Sequence, residues 1–297
     1  MDARCLERGT RQTTVSRQVS YRGRGLHTGS PSRVTIRPAP CGTGIVFVRC
    51  DLPGRPTIPA SVEFVGVSLR ATALVRNGVR ILTVEHLLAA VVWGGIDNAL
   101  IEVDGEEIPL GDGSSRVFSD LIDEAGIVEL EGERRDVRVR TPAWVVRDGA
   151  CAIALPTEGE SPQVSFTFVA PRPGMASEHA DFKVTPEVFE REIAPARTVG
   201  FEWELATLHE RGLALGATVN DAVIVGENGY VGSARFANEA ARHKALDLLG
   251  DMALLGRVSG HFIGIGSGHA MHHELAKAVA RDAWRGTDGI GGAPSQS

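Results

Sequence analysis

Cysteine is scarce and poorly spaced for chemistry. Cys5, Cys41, Cys50 and Cys151 are the four in 297 residues, and no two form a CxxC pair, which argues against a cysteine zinc site and a disulfide framework. Long apolar runs are missing as well. The longest one near His86, residues 87–93, falls far short of the roughly 20 residues that cross a bilayer. Residues 1–14 are polar and lack the apolar core of a secretory signal. Positive charge is in deficit: Lys+Arg 31 against Asp+Glu 37 leaves a net charge of −6, with the basic residues dispersed, so no nucleic-acid partner held through phosphates is expected. What remains is a globular composition, 43% hydrophobic and 23% charged. The length has room for about two domains, and the protein is expected to be cytoplasmic with no transmembrane segment.

Residues 1–12 read as a flexible leader. Short alternating runs at 18–21 and 32–37 flank the glycine-punctuated turn Arg24-Gly25-Leu26-His27-Thr28-Gly29-Ser30. Further runs at 44–49, 71–76 and 79–82 extend a meander, the last two joined by the hairpin signal Asn77-Gly78. A helix is expected from an N-cap at Thr83 through residues 85–92 to Gly94-Gly95. Extended runs at 99–103 and 105–109 follow, then the turn Gly111-Asp112-Gly113-Ser114-Ser115 and a helix over 118–125. Residues 129–136 read as a charged, exposed connector and the domain boundary. The second half repeats the plan, with strands near 137–140, 143–146, 151–155 and 164–169, and helices near 186–192, 202–211, 235–255 and 269–281. A glycine-flanked strand pair lies at 216–232. Sheet followed by helices, twice, predicts an α+β fold of two similar halves. The domains expected are 13–130 and 131–284, followed by a disordered tail, 285–297.

Chemistry concentrates in Arg242-His243-Lys244-Ala245-Leu246-Asp247-Leu248-Leu249-Gly250-Asp251. On a helix, His243, Asp247 and Asp251 fall four residues apart and share a face. An imidazole and a carboxylate side by side make two-thirds of a catalytic zinc site. A solvated His–Asp pair on an exposed face is the plainer alternative. His86 is the natural third ligand, leaving a fourth position for water, and Glu85 beside it could serve as general base. The plainer alternative for this pair is a helix-terminal carboxylate and a half-buried histidine.

Thr83-Val84-Glu85-His86-Leu87 is accompanied in order by other short motifs. These are Gly25-Leu26-His27-Thr28-Gly29, Asp112-Gly113-Ser114, Ala196-Arg197-Thr198, Arg242-His243-Lys244-x-x-Asp247-x-x-Gly250-Asp251 and Ser267-Gly268-His269-Ala270. Over about residues 12–281 the chain resembles the UDP-3-O-acyl-N-acetylglucosamine deacetylases, zinc amidases of lipid A biosynthesis. The resemblance implies two domains, each a β-sheet with two main helices, packed as a β-α-α-β sandwich with the active site between them. It implies Zn2+ held by His86, His243 and Asp247, with Glu85 as general base. It implies a protonated His269 that stabilises the oxyanion and protonates the leaving amine, with Asp251 holding that charge and Thr198 donating to the oxyanion. Lys244, Phe201 and His27 fall on substrate contacts. The substrate would be a UDP-linked acylated amino sugar, its acyl chain in a passage built by a β-α-β insert at about 198–232 and lined by Phe201, Leu205, Leu208, Leu213, Leu215 and Ala217. A monomer is expected.

The chain also departs from the family's pattern. Val199 stands where phenylalanine is common, and Gly264-Ile265-Gly266-Ser267 lacks a frequent basic residue. Ala170-Pro171 replaces a His-Pro pair, and Asn220-Asp221 reverses a usual order. These positions concern substrate binding rather than metal chemistry. They leave open a divergent zinc deacetylase of another acetylated amino sugar, or a silent sugar-nucleotide or lipid-binding relative. His27 could equally be a turn histidine bonded to backbone. His272 and His273 are expected on an exposed helix face, and His179, His209 and His261 receive no role.

Overall fold

The computed structural model of the protein describes residues 11–285 apart from 135, 160, 173–174, 219 and 228. Residues 1–10 and 286–297, most of the expected leader and tail, lie outside the described residues. The first half runs through β1 (Arg11–Val15), β2 (Val19–Arg24), β3 (Pro31–Pro38), β4 (Ile45–Arg49), β5 (Thr57–Pro59), β6 (Val65–Gly66), β7 (Ala73–Arg76) and β8 (Val79–Leu82) to helix α1 (Glu85–Trp93). After it come β9 (Ala99–Asp104), helix α2 (Arg116–Ala125) and β10 (Ile127–Glu133). The second half contains β11 (Val137–Arg138), β12 (Ala143–Arg147), β13 (Ala150–Leu155), β14 (Gln163–Phe168), β15 (Glu178–Lys183), α3 (Pro186–Val188), β16 (Thr198–Phe201), α4 (Leu205–Glu210), β17 (Ala222–Gly226) and β18 (Gly229–Val231). Helix α5 (Glu239–Met252), β19 (Val258–Ser259), β20 (His261–Ile265) and α6 (His269–Arg285) complete it. The fold is mixed, α+β, as expected.

Two five-stranded sheets share one plan. Their orders are β2-β3-β9-β4-β5 and β12-β13-β20-β14-β15. In each, the last strand in sequence takes the centre, antiparallel to the strand on one side and parallel to the strand on the other. Each has a three-stranded insert just before its first long helix, β6-β7-β8 before α1 and β16-β17-β18 before α5. The pleat turns Val34, Ile36, Ile101 and Val103 inward from the first sheet, and Ala152, Ala154, Val164, Phe166 and Phe262 from the second. These residues join one apolar cluster that runs through α1 and α5, each large side chain contributing about 1.5–3 kcal/mol by burial.

Helix α1 is buried at all nine positions and packs on α5. The two backbones approach closely because residue 250 has no side chain: a Cβ at Gly250 would come within 2.3 Å of the Glu85 carbonyl oxygen. Trp93 Nε1 donates to Leu249 O at 3.0 Å and secures the same crossing.

Several local expectations change. Thr83 does not cap α1, whose N-cap position is Val84. Thr83 has φ 59°, and its hydroxyl donates to Glu107 Oε1 at 2.8 Å instead. The charged stretch 129–136 is no connector, because residues 127–133 form β10 against β1. A ribbon with one wet face accepts glutamates at alternate positions. The proposed 130/131 boundary therefore falls inside a strand, and Arg11 and Gln12 belong to β1 rather than to a leader. Residues 105–109 form bridges at Glu107 and Pro109 rather than a strand. Helix α5 begins at Glu239, later than expected, and α6 continues to Arg285. Strands β15 and β20 were not anticipated. The first is a polar edge, and the second is broken in pattern by Gly264, where a Cβ would meet Phe166 at 2.3 Å. The Asn77-Gly78 hairpin is as expected, with φ of 51° and 79° at the two turn residues.

Candidate active site

Three elements bring the chemistry together. The first turn of α1 supplies Glu85 and His86, α5 supplies His243, Asp247 and Asp251 along one stripe, and α6 opens with His269. All but His269 are almost fully buried.

His243 has the neutral ring that metal binding requires. Burial is the main cause that pushes its pKa down to about 4, so the ring is neutral at physiological pH. Its Nδ1 lies 3.1 Å from Ala196 O. A carbonyl only accepts, so Nδ1 carries the hydrogen and Nε2 presents a lone pair. That lone pair faces Asp247 Oδ1 at 3.3 Å, and His86 Nε2 faces the same oxygen at 3.5 Å. Asp247 Oδ1 is buried without a hydrogen-bond partner. A lone pair opposed to a carboxylate oxygen in a dry site repels unless a cation lies between them. The three ligand atoms lie within 4.8 Å of one another, and two imidazoles with one carboxylate are a donor set suited to zinc. The residues therefore fit a metal.

A second group, Asp251, His269 and His272, is equally compact but is already satisfied internally. His269 Nδ1 and His272 Nδ1 both reach Asp251 Oδ2 at 2.8 Å, so the proton-bearing nitrogens are turned inward and no lone pair is left facing a ligand. Burial alone would lower the His269 pKa, yet Asp251, Asp247 and Glu85 outweigh it and raise it to about 9. His269 is an imidazolium at neutral pH. Its Nε2 lies 3.8 Å from Glu85 Oε1 and 3.9 Å from Asp247 Oδ2. Glu85 itself is pushed up, chiefly by burial, and its Oε2 accepts from Thr72 N at 3.0 Å.

The motif Ala196-Arg197-Thr198 acts through its backbone as well as its side chains. Ala196 fixes the His243 tautomer, while Arg197 pairs with the fully buried Glu239 at the start of α5, Nε to Oε1 at 2.9 Å. Thr198 N donates to Gly113 O at 2.7 Å, which ties it to Asp112-Gly113-Ser114. Gly113 needs its glycine: φ is +83° and a Cβ would overlap the Asp221 carbonyl. Ser115 Oγ then donates to His86 O at 2.7 Å and steadies α1.

Glu85, His86, His243, Asp247 and His269 line one wall of a cavity of about 640 Å3 that also includes Thr198, Lys244, Phe201 and His27. Lys244 Nζ reaches back to Asp247 Oδ2 at 2.8 Å. Phe201 stacks between Phe168 and Trp203. Both His27 ring nitrogens are buried without partners; it is the loop backbone that is bonded, to the Glu107 carboxylate. Of the expected passage residues, Phe201, Leu205, Leu208 and Ala217 line the cavity, whereas Leu213 and Leu215 do not, and Leu215 is exposed.

His272 and His273 correct the expectation of an exposed face. Both are buried: His272 Nε2 meets Ser267 Oγ at 2.9 Å, and His273 Nε2 meets Thr72 Oγ1 at 2.9 Å. Their positions three and four residues after His269 put them on its helix face, a spacing that could have revealed them. Thr72, bonded to Asp251 and Glu85, carried no such signal.

The sequence model of the UDP-3-O-acyl N-acetylglycosamine deacetylase family matches residues 12–281. A Myxococcus xanthus protein is 41% identical over 274 residues, covering 91% of this chain and 87% of its own. A Solibacter usitatus protein is 42% identical, covering 91% and 92%, and a Chlamydia pneumoniae protein is 38% identical, covering 90% and 96%. Each is named UDP-3-O-acyl-N-acetylglucosamine deacetylase.

Proposed function

The chain belongs to the UDP-3-O-acyl N-acetylglycosamine deacetylase family, and from that premise we propose how its residues share the work. The reaction is hydrolysis of the N-acetyl group of UDP-3-O-acyl-N-acetylglucosamine in lipid A biosynthesis, giving acetate and the free 2-amino sugar. The observation that carries the assignment is the buried, unpartnered Asp247 Oδ1 facing two imidazoles, with Glu85 and the imidazolium of His269 alongside.

His86, His243 and Asp247 would hold Zn2+, which when bound supplies Lewis acidity toward the amide carbonyl and makes water more acidic. Glu85 takes a proton from the attacking water as the new C–O bond forms; burial makes it a stronger base than an exposed glutamate. His269 donates toward the developing oxyanion and then gives its proton to the amine as the C–N bond breaks. Asp251 keeps that imidazole charged and aimed through Nδ1. Thr198 donates its hydroxyl to the oxyanion, a contribution of roughly 3 kcal/mol for such a donor. Lys244, Phe201 and His27 bind the substrate, and the acyl chain lies along the apolar wall formed by the β16-α4-β17 insert.

Two domains packed as a β-α-α-β sandwich, meeting at α1 and α5, are the arrangement we infer; the shared strand order supports it. The break then falls between β10 and β11 rather than at 130/131. We place the protein in the cytoplasm as a monomer. Among the described residues no helix is long and apolar enough to cross a membrane, and the substrate is a nucleotide sugar.

The test is acetate release from UDP-3-O-acyl-N-acetylglucosamine by purified protein carrying about one zinc per chain. Zinc-loaded protein inert on this substrate but active on another acetylated amino sugar would favour the divergent deacetylase, which the missing basic residue in Gly264-Ile265-Gly266-Ser267 also suits.

A further inference from the structure

Thr72 lies between β6 and β7 in the first half, fully buried, and makes four polar contacts that the reaction scheme does not use. Its backbone N–H donates to Glu85 Oε2 at 3.0 Å. Its hydroxyl lies 2.5 Å from Asp251 Oδ1, 2.9 Å from His273 Nε2 and 3.3 Å from His269 Nδ1. His269 Nδ1 already carries the proton given to Asp251, and the aspartate is an anion, held well below the usual carboxylate range. The charged Asp251 Oδ1, which also lies 3.3 Å from His273 Nε2, is the strongest acceptor within reach of the Thr72 hydroxyl hydrogen. On its other oxygen Asp251 accepts from His272, whose Nε2 is in turn capped by Ser267. With both oxygens anchored, the carboxylate has no freedom to rotate away from His269.

We propose that Thr72 is a positioning residue that holds the base carboxylate Glu85 and the acid pair Asp251–His269 in one frame. The inference rests on the proposed roles of Glu85 and His269. One residue from the first half thus reaches, through its backbone, the group that takes a proton from water, and through its side chain the partner of the group that delivers a proton to the amine. Both transfers act on the same reacting carbon and its substituents, so their relative placement sets turnover more than substrate affinity.

The experiment compares zinc-loaded wild type, Thr72→Val and Thr72→Ser, alone and with Asp251→Asn. Valine keeps shape and backbone N–H but removes the hydroxyl; serine keeps the hydroxyl. Thr72→Val should hold its zinc and keep KM within about twofold while kcat falls about 10- to 100-fold, the loss of one buried hydrogen bond to a charged group. Thr72→Ser should recover most of that loss. In the Asp251→Asn background the valine change should cost little more, because its route to His269 is already cut. A Thr72→Val enzyme with wild-type kcat, a raised KM alone, or losses that multiply fully with Asp251→Asn would each overturn the proposal. Should valine not fold, Thr72→Ala removes the same hydroxyl with less bulk and is judged by the same outcomes. A serine variant as impaired as valine also overturns it. Wild type that holds zinc yet releases no acetate overturns the functional reading itself, and the Thr72 proposal with it.

Discussion

Glu85 and His86 are adjacent in one helical turn, yet substitutions in this site should separate metal from turnover. Glu85→Ala is expected to retain about one zinc per chain and lose turnover by roughly 10²–10⁴-fold, while His243→Ala loses both; metal analysis and acetate release measure them side by side. A fully active Glu85→Ala would remove that carboxylate from the role of base. His269 offers a second test. In metal-free protein its ring should titrate near about 9, against 6.5 for an ordinary histidine, because Asp251 and its neighbours outweigh burial. NMR of the imidazole follows this directly, and Asp251→Asn should bring the value down. A folded pKa above the unfolded one adds stability that is complete below about pH 6.5 and lost as pH rises through about 9. Thermal unfolding of the metal-free protein should therefore fall across that window, and fall less in Asp251→Asn. Asp251 has the opposite sign: its depressed pKa gives stability above 3.8 that disappears as pH drops through the folded value.

At the scale of elements, α1 and α5 are held at a distance set by Gly250. A methyl at this position would need to displace the Glu85 carbonyl, 2.3 Å from where a Cβ would sit. Gly250→Ala is expected to cost about 1–3 kcal/mol of stability, the usual range for an overpacked core, and to weaken zinc binding because His86 moves relative to His243 and Asp247. Calorimetry and zinc titration check the two effects, and unchanged zinc affinity would show that the ligands do not depend on this crossing. The same helices show what the sequence could reveal. His243, Asp247 and Asp251 were legible because a helix converts local spacing into a shared face. Thr72 was not legible, since its partners lie 13 and 179 residues away and no local periodicity reports them. Thr83 misled for a related reason: a residue type suited to capping is drawn instead to a carboxylate 24 positions on. Strand β10 was hidden by its glutamates, which a half-wet ribbon tolerates, and β20 by a glycine that makes room for Phe166.

Across the whole molecule, the residues proposed to hold the metal come from both halves, His86 from the first and His243 and Asp247 from the second. Chelation should therefore lower the unfolding temperature of the entire chain in one step. Binding at a hundredfold excess over Kd is worth about 2.7 kcal/mol, and a chelator-insensitive transition would argue against a resident metal. The repeated order of the two sheets, inferred from the sequence only as a succession of element types, proves to extend to strand direction and the placement of the inserts. It also sets a timetable for synthesis. In each sheet the central strand is the last to be made, so the hairpins on either side leave the ribosome with their inner edges bare. For the second sheet that strand is β20, with His269 only four residues beyond it. A nascent chain stopped before residue 261 would hold His86, His243 and Asp247, yet lack both His269, the proposed acid, and the strand that seals β13 to β14. Such a chain could load metal before it could work, with two open strand edges ready to pair with another copy.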